Sequence, residues 1–132
     1  MSEHPLIAVV DDDASMRGAL QRLLRLEGFR TVVFASAEDF LHAGPPQDTA
    51  CLIVDVRMPQ MSGLELQRQL ATTRCPIPLI FITAHGDEAA RAQALRAGAV
   101  DFLYKPFPDD ALLGAIRSAL RSSREGRTSA QC

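Results

Sequence analysis

The chain has 132 residues, of which 47% are hydrophobic and 23% charged, and its net charge is −2. This is the length of one domain, with enough apolar residue for a core that needs no disulfide or metal staple. The charge argues against direct nucleic-acid binding, which needs a basic face, and no apolar run approaches the ~20 residues that span a membrane.

Met1-Ser-Glu-His-Pro5 lacks the long apolar stretch of a signal peptide. Cys51, Cys75 and Cys132 follow no disulfide or metal spacing. Unpaired thiols fit a reducing compartment, so the expected location is the cytoplasm.

Leu6-Ile-Ala-Val-Val10 predicts a buried strand, stopped by Asp11-Asp12-Asp13. Met16, Leu20, Leu23 and Leu24 then recur at helical spacing as far as Gly28. Thr31–Phe34 is a second strand. Ser36 caps a short helix with Phe40 and Leu41 on its apolar side, ended by Gly44-Pro-Pro46. Cys51–Val54 is a third strand that runs into Asp55. Ser62-Gly-Leu-Glu65 is a capping-box pattern ahead of Leu64, Leu66 and Leu70.

Pro76 and Pro78 frame a fourth strand, Leu79–Ile82. An alanine-rich helix follows, from about Asp87 to Ala97, and stops at Gly98. Val100–Tyr104 is a fifth strand, and Leu112, Leu113, Ile116 and Leu120 form the stripe of a last helix. Ser122 to Cys132 is polar and reads as a flexible tail or the start of an interdomain linker, leaving residues 1–121 as the domain. Five strand–helix units with unbroken apolar strands predict an α/β fold. The expected form is a doubly wound, flavodoxin-like three-layer sandwich with parallel sheet order 2-1-3-4-5.

In such a sheet, function collects at the carboxyl ends of the strands. Here those ends carry Asp11 and Asp12, then Asp55, Thr83 and Lys105, on strands that would be successive neighbours. Three carboxylates on one rim repel each other unless a cation joins them, and hard oxygen ligands suit Mg²⁺. A lysine and a hydroxyl on the same rim suit a phosphoryl group bound beside the metal.

Val9-Val-Asp-Asp-Asp13, Val54-Asp-Val-Arg-Met-Pro59 with Ser62-Gly63, Ile82-Thr-Ala-His-Gly-Asp87 and Tyr104-Lys-Pro-Phe107 resemble the motif blocks of the response-regulator receiver family. They do so in order, from Leu6 to about Leu120. Arg57-Met-Pro, Met61-Ser-Gly and Gly98-Ala-Val-Asp-Phe are most similar to the nitrogen-fixation regulator (FixJ-like) branch.

The resemblance implies a phosphorylation-activated switch of a two-component system. Asp55 would accept the phosphoryl group from the phosphohistidine of a partner histidine kinase. Asp12 would bind Mg²⁺ directly, Asp11 would help through water, and Asp55 and the Arg57 backbone carbonyl would complete the protein ligands. Lys105, the Thr83 hydroxyl and the Ala84 N–H would hold phosphoryl oxygens. Thr83 and Phe102 would form the switch pair, and Lys105-Pro106 matches a position that is usually a cis peptide.

Plainer readings stand beside these. Aspartates after a strand are most often caps, and Asp13 reads as a first-turn acid favouring the helix N-terminus. His85 reads as an exposed loop residue that, with Arg57, flanks the acceptor. Arg117, Arg121 and Arg124 read as a solvated helix face.

A flavin-binding protein of the same topology is disfavoured because Asp11-Asp12-Asp13 would repel the flavin phosphate. An aspartate-nucleophile phosphatase would place its nucleophile on the first strand and add a cap domain. A pseudo-receiver acting only as an interaction module should have lost part of the rim.

The chain is therefore expected to be no conventional enzyme, performing only self-catalysed phosphotransfer and autodephosphorylation. It is expected to pair with itself through the fourth helix and fifth strand when phosphorylated. FixJ-like proteins carry a C-terminal helix-turn-helix, and none follows here. The chain thus reads as a stand-alone receiver or as the receiver part of a transcriptional regulator.

Overall fold

A computed structural model of the chain describes residues 4–44, 48–72, 77–84 and 88–126, with side chains described as far as Arg121. Strands and helices alternate: β1 (Leu6–Val10), α1 (Ala14–Leu26), β2 (Arg30–Phe34), α2 (Ala37–Ala43), β3 (Thr49–Asp55), α3 (Gly63–Ala71), β4 (Leu79–Thr83), α4 (Glu88–Arg96), β5 (Asp101–Tyr104) and α5 (Asp109–Gly126). All strand pairs are parallel, in the order β2-β1-β3-β4-β5. The doubly wound arrangement read from the sequence is the one observed.

Every residue of β1, β3 and β4 is buried, because helices cover both faces of the sheet. Alternate strand residues feed two cores. Ile7, Val9, Ile53, Ile80 and Ile82 pack with Leu20 and Leu24 of α1 and Leu112 and Ile116 of α5. On the other face Ala8, Val10, Leu52, Val54 and Phe81 pack with Phe40 of α2, Leu66 and Leu70 of α3, and Ala90 and Ala94 of α4.

The helix ends follow local chemistry. Asp13 is the N-cap of α1: its carboxylate accepts from the N–H groups of Ser15 and Met16. It therefore lies one residue before the helix and not in its first turn, where the sequence reading put it. Ser36 caps α2, and Ser62 and Glu65 complete the capping box of α3 in both directions. At Gly98 the backbone turns left-handed (φ 106°), and the bonds Gly98 N–H to Leu95 and Ala99 N–H to Ala94 close a Schellman motif that only a residue without Cβ enters freely.

Several boundaries differ from expectation. β2 begins at Arg30 and β5 at Asp101. α4 is described from Glu88, and Asp87 lies outside the described residues, as do Pro46, Cys75, Pro76, His85 and Cys132. α5 continues through Ser122 to Gly126, into the segment expected to be tail. Leu95, the one large apolar side chain of α4, is only half-buried, and the helix seats itself through Ala90 and Ala94.

Two side chains tie α4 in place. Buried Gln67 of α3 donates to the Ala94 carbonyl (3.1 Å), and the Tyr104 hydroxyl donates to Glu88 (3.0 Å). Among the described residues, no helix is long and apolar enough to cross a membrane.

Candidate functional site

Strand register assembles the site. Val10 pairs with Val54, so the next residues, Asp11 and Asp55, leave adjacent strands side by side. Asp55 pairs with Ile82, Thr83 pairs with Tyr104, and Lys105 follows Tyr104 directly. The ladder runs on past the strand ends: Asp11 N–H donates to Phe34, Val56 N–H to Ile82 and Lys105 N–H to Thr83 (2.7 Å). Asp11, Asp55, Thr83 and Lys105, far apart in the chain, thus converge on one rim.

The Lys105 ammonium bridges two carboxylates, donating at 3.1 Å to Asp11 Oδ2 and at 3.1 Å to Asp55 Oδ2. The remaining oxygens are held by backbone. Asp13 N–H donates to Asp11 Oδ1 (2.9 Å) and Arg57 N–H to Asp55 Oδ1 (3.1 Å). Asp11 is fully buried, Asp55 nearly so, and Asp12 is exposed at the mouth. Carboxylate oxygens of Asp11, Asp12 and Asp55 all lie within 4.8 Å of one another.

Burial pushes the Asp11 carboxyl above its ordinary pKa. The neighbouring Asp55 charge adds to that shift, while the Asp13 N–H and Lys105 pull against it. For Lys105, burial works against the charged form, but its hydrogen bonds to Asp55 and Asp11 outweigh it and raise the pKa. The rim is therefore an excess of negative charge partly quenched by one internal cation.

This donor set fits a hard divalent cation: the oxygens are carboxylate, two of them are already directed inward, and the third faces solvent. Thr83 gives an independent sign of an oxygen-rich ligand. Its side chain is fully buried, and its hydroxyl has no hydrogen-bond partner among the described residues. A buried hydroxyl left unpaired costs about 1–3 kcal/mol, which an acceptor oxygen bound at the rim would relieve.

Ala84 is exposed directly after Thr83, and Arg57 is exposed directly after Val56. Phe102 is buried, its ring 6.0 Å from Phe81 and 5.5 Å from Tyr104. Lys105–Pro106 is a cis peptide, as the motif implies. Arg117 and Arg121 are exposed on α5, away from the rim residues in the chain, and the Arg124 side chain lies outside the description.

Other contacts escaped the sequence reading. The Arg17 guanidinium on α1 donates to the Asp11 carbonyl at 2.7 Å. Glu38 on α2 accepts from the Met61 N–H, and Gln67 and Tyr104 hold α4. Gln67 carries a faint signal in sequence, since it occupies the helical face shared by Leu66 and Leu70; the others carry none.

The sequence pattern of the response regulator receiver domain matches residues 7–117, and the chain belongs to that family. It is 45% identical over 126 residues to nodulation protein W of Bradyrhizobium diazoefficiens, covering 96% of this chain and 56% of that one. It is 44% identical over 117 residues to the transcriptional regulatory protein FixJ of the same organism, covering 89% and 57%. The chain thus spans a little over half the length of these curated relatives. Among solved structures it superposes on the response regulator StyR with a TM-score of 0.88 and 47% identity, over 96% of this chain and 64% of that one. The FixJ-like branch suggested by the motifs is the one these relatives represent.

Proposed function

We propose that this receiver domain is a phosphorylation-activated switch of a two-component system, with Asp55 as phosphoacceptor. The observation that carries the reading is the convergence of Asp11, Asp12 and Asp55 on Lys105 at the carboxyl ends of β1, β3 and β5. Family membership supports it, and so do relatives named as response regulators and transcriptional regulators.

The carboxylates of Asp11, Asp12 and Asp55 and the Arg57 carbonyl would hold Mg²⁺, which when bound neutralises charge on the transferring phosphoryl group. Asp55 Oδ2 attacks phosphorus as the P–N bond to the donor histidine breaks, and the imidazole leaves with the electron pair of that bond. Lys105 gives up its direct hold on Asp55 and pairs with a phosphoryl oxygen. Thr83 turns its free hydroxyl to a second oxygen, and the Ala84 N–H meets a third.

Incubation with acetyl phosphate and Mg²⁺ is the direct test. Intact-mass analysis should show one phosphate added, lost on alkaline treatment, and absent when the metal is chelated. Asp12→Ala should weaken Mg²⁺ binding by more than about tenfold in titration calorimetry, because a direct carboxylate ligand is gone. Unchanged affinity would remove Asp12 from the ligand set.

Thr83 and Phe102 form the proposed switch. Thr83→Ala keeps nucleophile and cation ligands but lacks the hydroxyl that senses the new oxygens. We expect it to accept phosphate while the amide shifts of Phe102 and α4 induced by beryllofluoride shrink to a small fraction of wild type. Shifts of wild-type size would contradict the role.

The proposed partners are a sensor histidine kinase and, after phosphorylation, a second copy of this chain through α4 and β5. α4 buries only the small side chains of Ala90 and Ala94, so little packing opposes its displacement. Sedimentation velocity with Mg²⁺ and beryllofluoride should show a concentration-dependent dimer. Identical monomer profiles in both states would eliminate the dimer and leave the switch intact. The domain is proposed to act in the cytoplasm and to make no direct contact with nucleic acid.

A further inference from the structure

We infer that Glu38 on α2 is a positioning residue for the site. Through its hydrogen bond to the Met61 N–H, it holds the β3–α3 loop in the conformation that presents the Arg57 carbonyl and Asp55 to the cation.

The loop runs from Val56 to Ser62 and is closed at its base. Val56 N–H donates to Ile82, and Gly63 N–H returns to the Val56 carbonyl at 2.9 Å. Its near end is fixed by Arg57 N–H on Asp55 Oδ1 and its far end by the Ser62–Glu65 capping box. Met58 plugs into the core between them. The span from Pro59 to Met61 needs another hold, because Gln60 sits in the left-handed region at φ 68°. For a residue with a Cβ that conformation is strained, and it persists only where the surroundings impose it.

Glu38 supplies such an imposition from a separate element. Its Oε2 accepts from the Met61 N–H at 3.0 Å, immediately after the strained residue. Its Oε1 is buried and has no hydrogen-bond partner among the described residues. An exposed glutamate on a seven-residue helix would leave both oxygens to water; this one turns inward to serve a single backbone donor. The lining of the adjoining groove, from Glu38 through Gln60 and Met61 to Glu65 and Arg68, places it between α2 and α3. With that tether cut, Gln60 can relax, and the strain passes back along three peptide units to the Arg57 carbonyl. Outer groups that orient ligands typically govern metal affinity by 10–100-fold.

The inference rests on the proposed cation site, so its test separates the two. Wild type, Glu38→Ala and Glu38→Gln are compared by Mg²⁺ calorimetry, by hydrogen exchange at the Met61 amide, and by melting temperature. Glutamine keeps an acceptor for Met61 without the charge. We expect Glu38→Ala to lose Met61 protection and about tenfold in Mg²⁺ affinity, and Glu38→Gln to restore both to within about twofold. A melting temperature that falls in Glu38→Ala with Mg²⁺ affinity unchanged would overturn the positioning role. Glu38→Gln binding Mg²⁺ as weakly as Glu38→Ala would overturn it too, by making the effect one of charge. Should Glu38→Ala fail to fold, Glu38→Asp, which keeps the charge but falls short of Met61, takes its place with the same expectation. Absence of Mg²⁺ binding in wild type would refute the cation site itself, whereas the Met61 exchange data still report whether the tether exists.

Discussion

Asp55→Asn is expected to take up no phosphate from acetyl phosphate under conditions that label the wild type fully. The side chain keeps its shape and can still accept the Arg57 N–H through its oxygen. What it loses is the anionic oxygen that would attack phosphorus, which is also the one that receives Lys105. Removing one of three crowded carboxylates also relieves like-charge repulsion on Asp11, since the Asp55 charge contributes to the raised Asp11 pKa. The variant should therefore melt no lower than wild type, so that loss of labelling cannot be assigned to unfolding. Intact mass and a thermal melt on the same sample decide the matter. A phosphate adduct on the variant would place the acceptor elsewhere.

Gly63→Ala is expected to produce the largest loss of stability of any conservative change near the site. A Cβ at this position would collide with the backbone carbonyl oxygen of Asp55 and sit 3.1 Å from the Phe81 ring. Neither neighbour can yield cheaply. One is the backbone of the central strand, and the other is a fully buried aromatic. The helix must back away from the sheet, which also breaks the Gly63 N–H bond to Val56. Overpacking of this kind costs about 3 kcal/mol, which lowers the melting temperature of a domain this size by roughly 10 °C. Because the atom struck belongs to Asp55, phosphate uptake should fall as well. Gly114→Ala, where a Cβ meets nothing within 4 Å, is the matched control. Equal melting temperatures for the two variants would mean that α3 is not seated as described.

The sheet was legible in the sequence because three of its strands are buried on both faces and must be written as unbroken apolar runs. The rim was legible because Asp11, Asp55 and Thr83 interrupt those runs at their carboxyl ends, and Lys105 follows β5 at the same edge. Boundaries were harder. α5 extends past Ser122 because a helix leaving the core needs no further apolar stripe to continue, and a polar stretch reads the same in helix and tail.

Least legible were the ties between elements. Glu38, Arg17 and Tyr104 bond partners 23, 6 and 16 positions away. Nothing in a charged residue's local pattern reveals which backbone group will stand opposite it once helices pack. Gln67 is legible only in part: its place beside Leu66 and Leu70 hints at burial, but a glutamine in an amphipathic helix is ordinarily solvated, and this one is buried because the Ala94 carbonyl offers it a partner.

The Lys105 bridge has a consequence for valence. Three carboxylates and one ammonium leave the rim with two uncancelled negative charges. A divalent ion brings the cluster to electroneutrality, a monovalent ion leaves it short by one, and a trivalent ion overshoots. Acyl phosphate formation at Asp55, as proposed, would exchange a monoanion for a group carrying about −1.5 to −2 at neutral pH. The cluster thus returns to a net negative charge with the same counter-ions in place. The lysine, released from Asp55, would then have a more highly charged oxygen cluster to follow. Hydrolysis would run the same charge exchange in reverse, so on the proposed mechanism the ammonium would serve as a reusable internal counter-ion whose position follows the charge state of its neighbour.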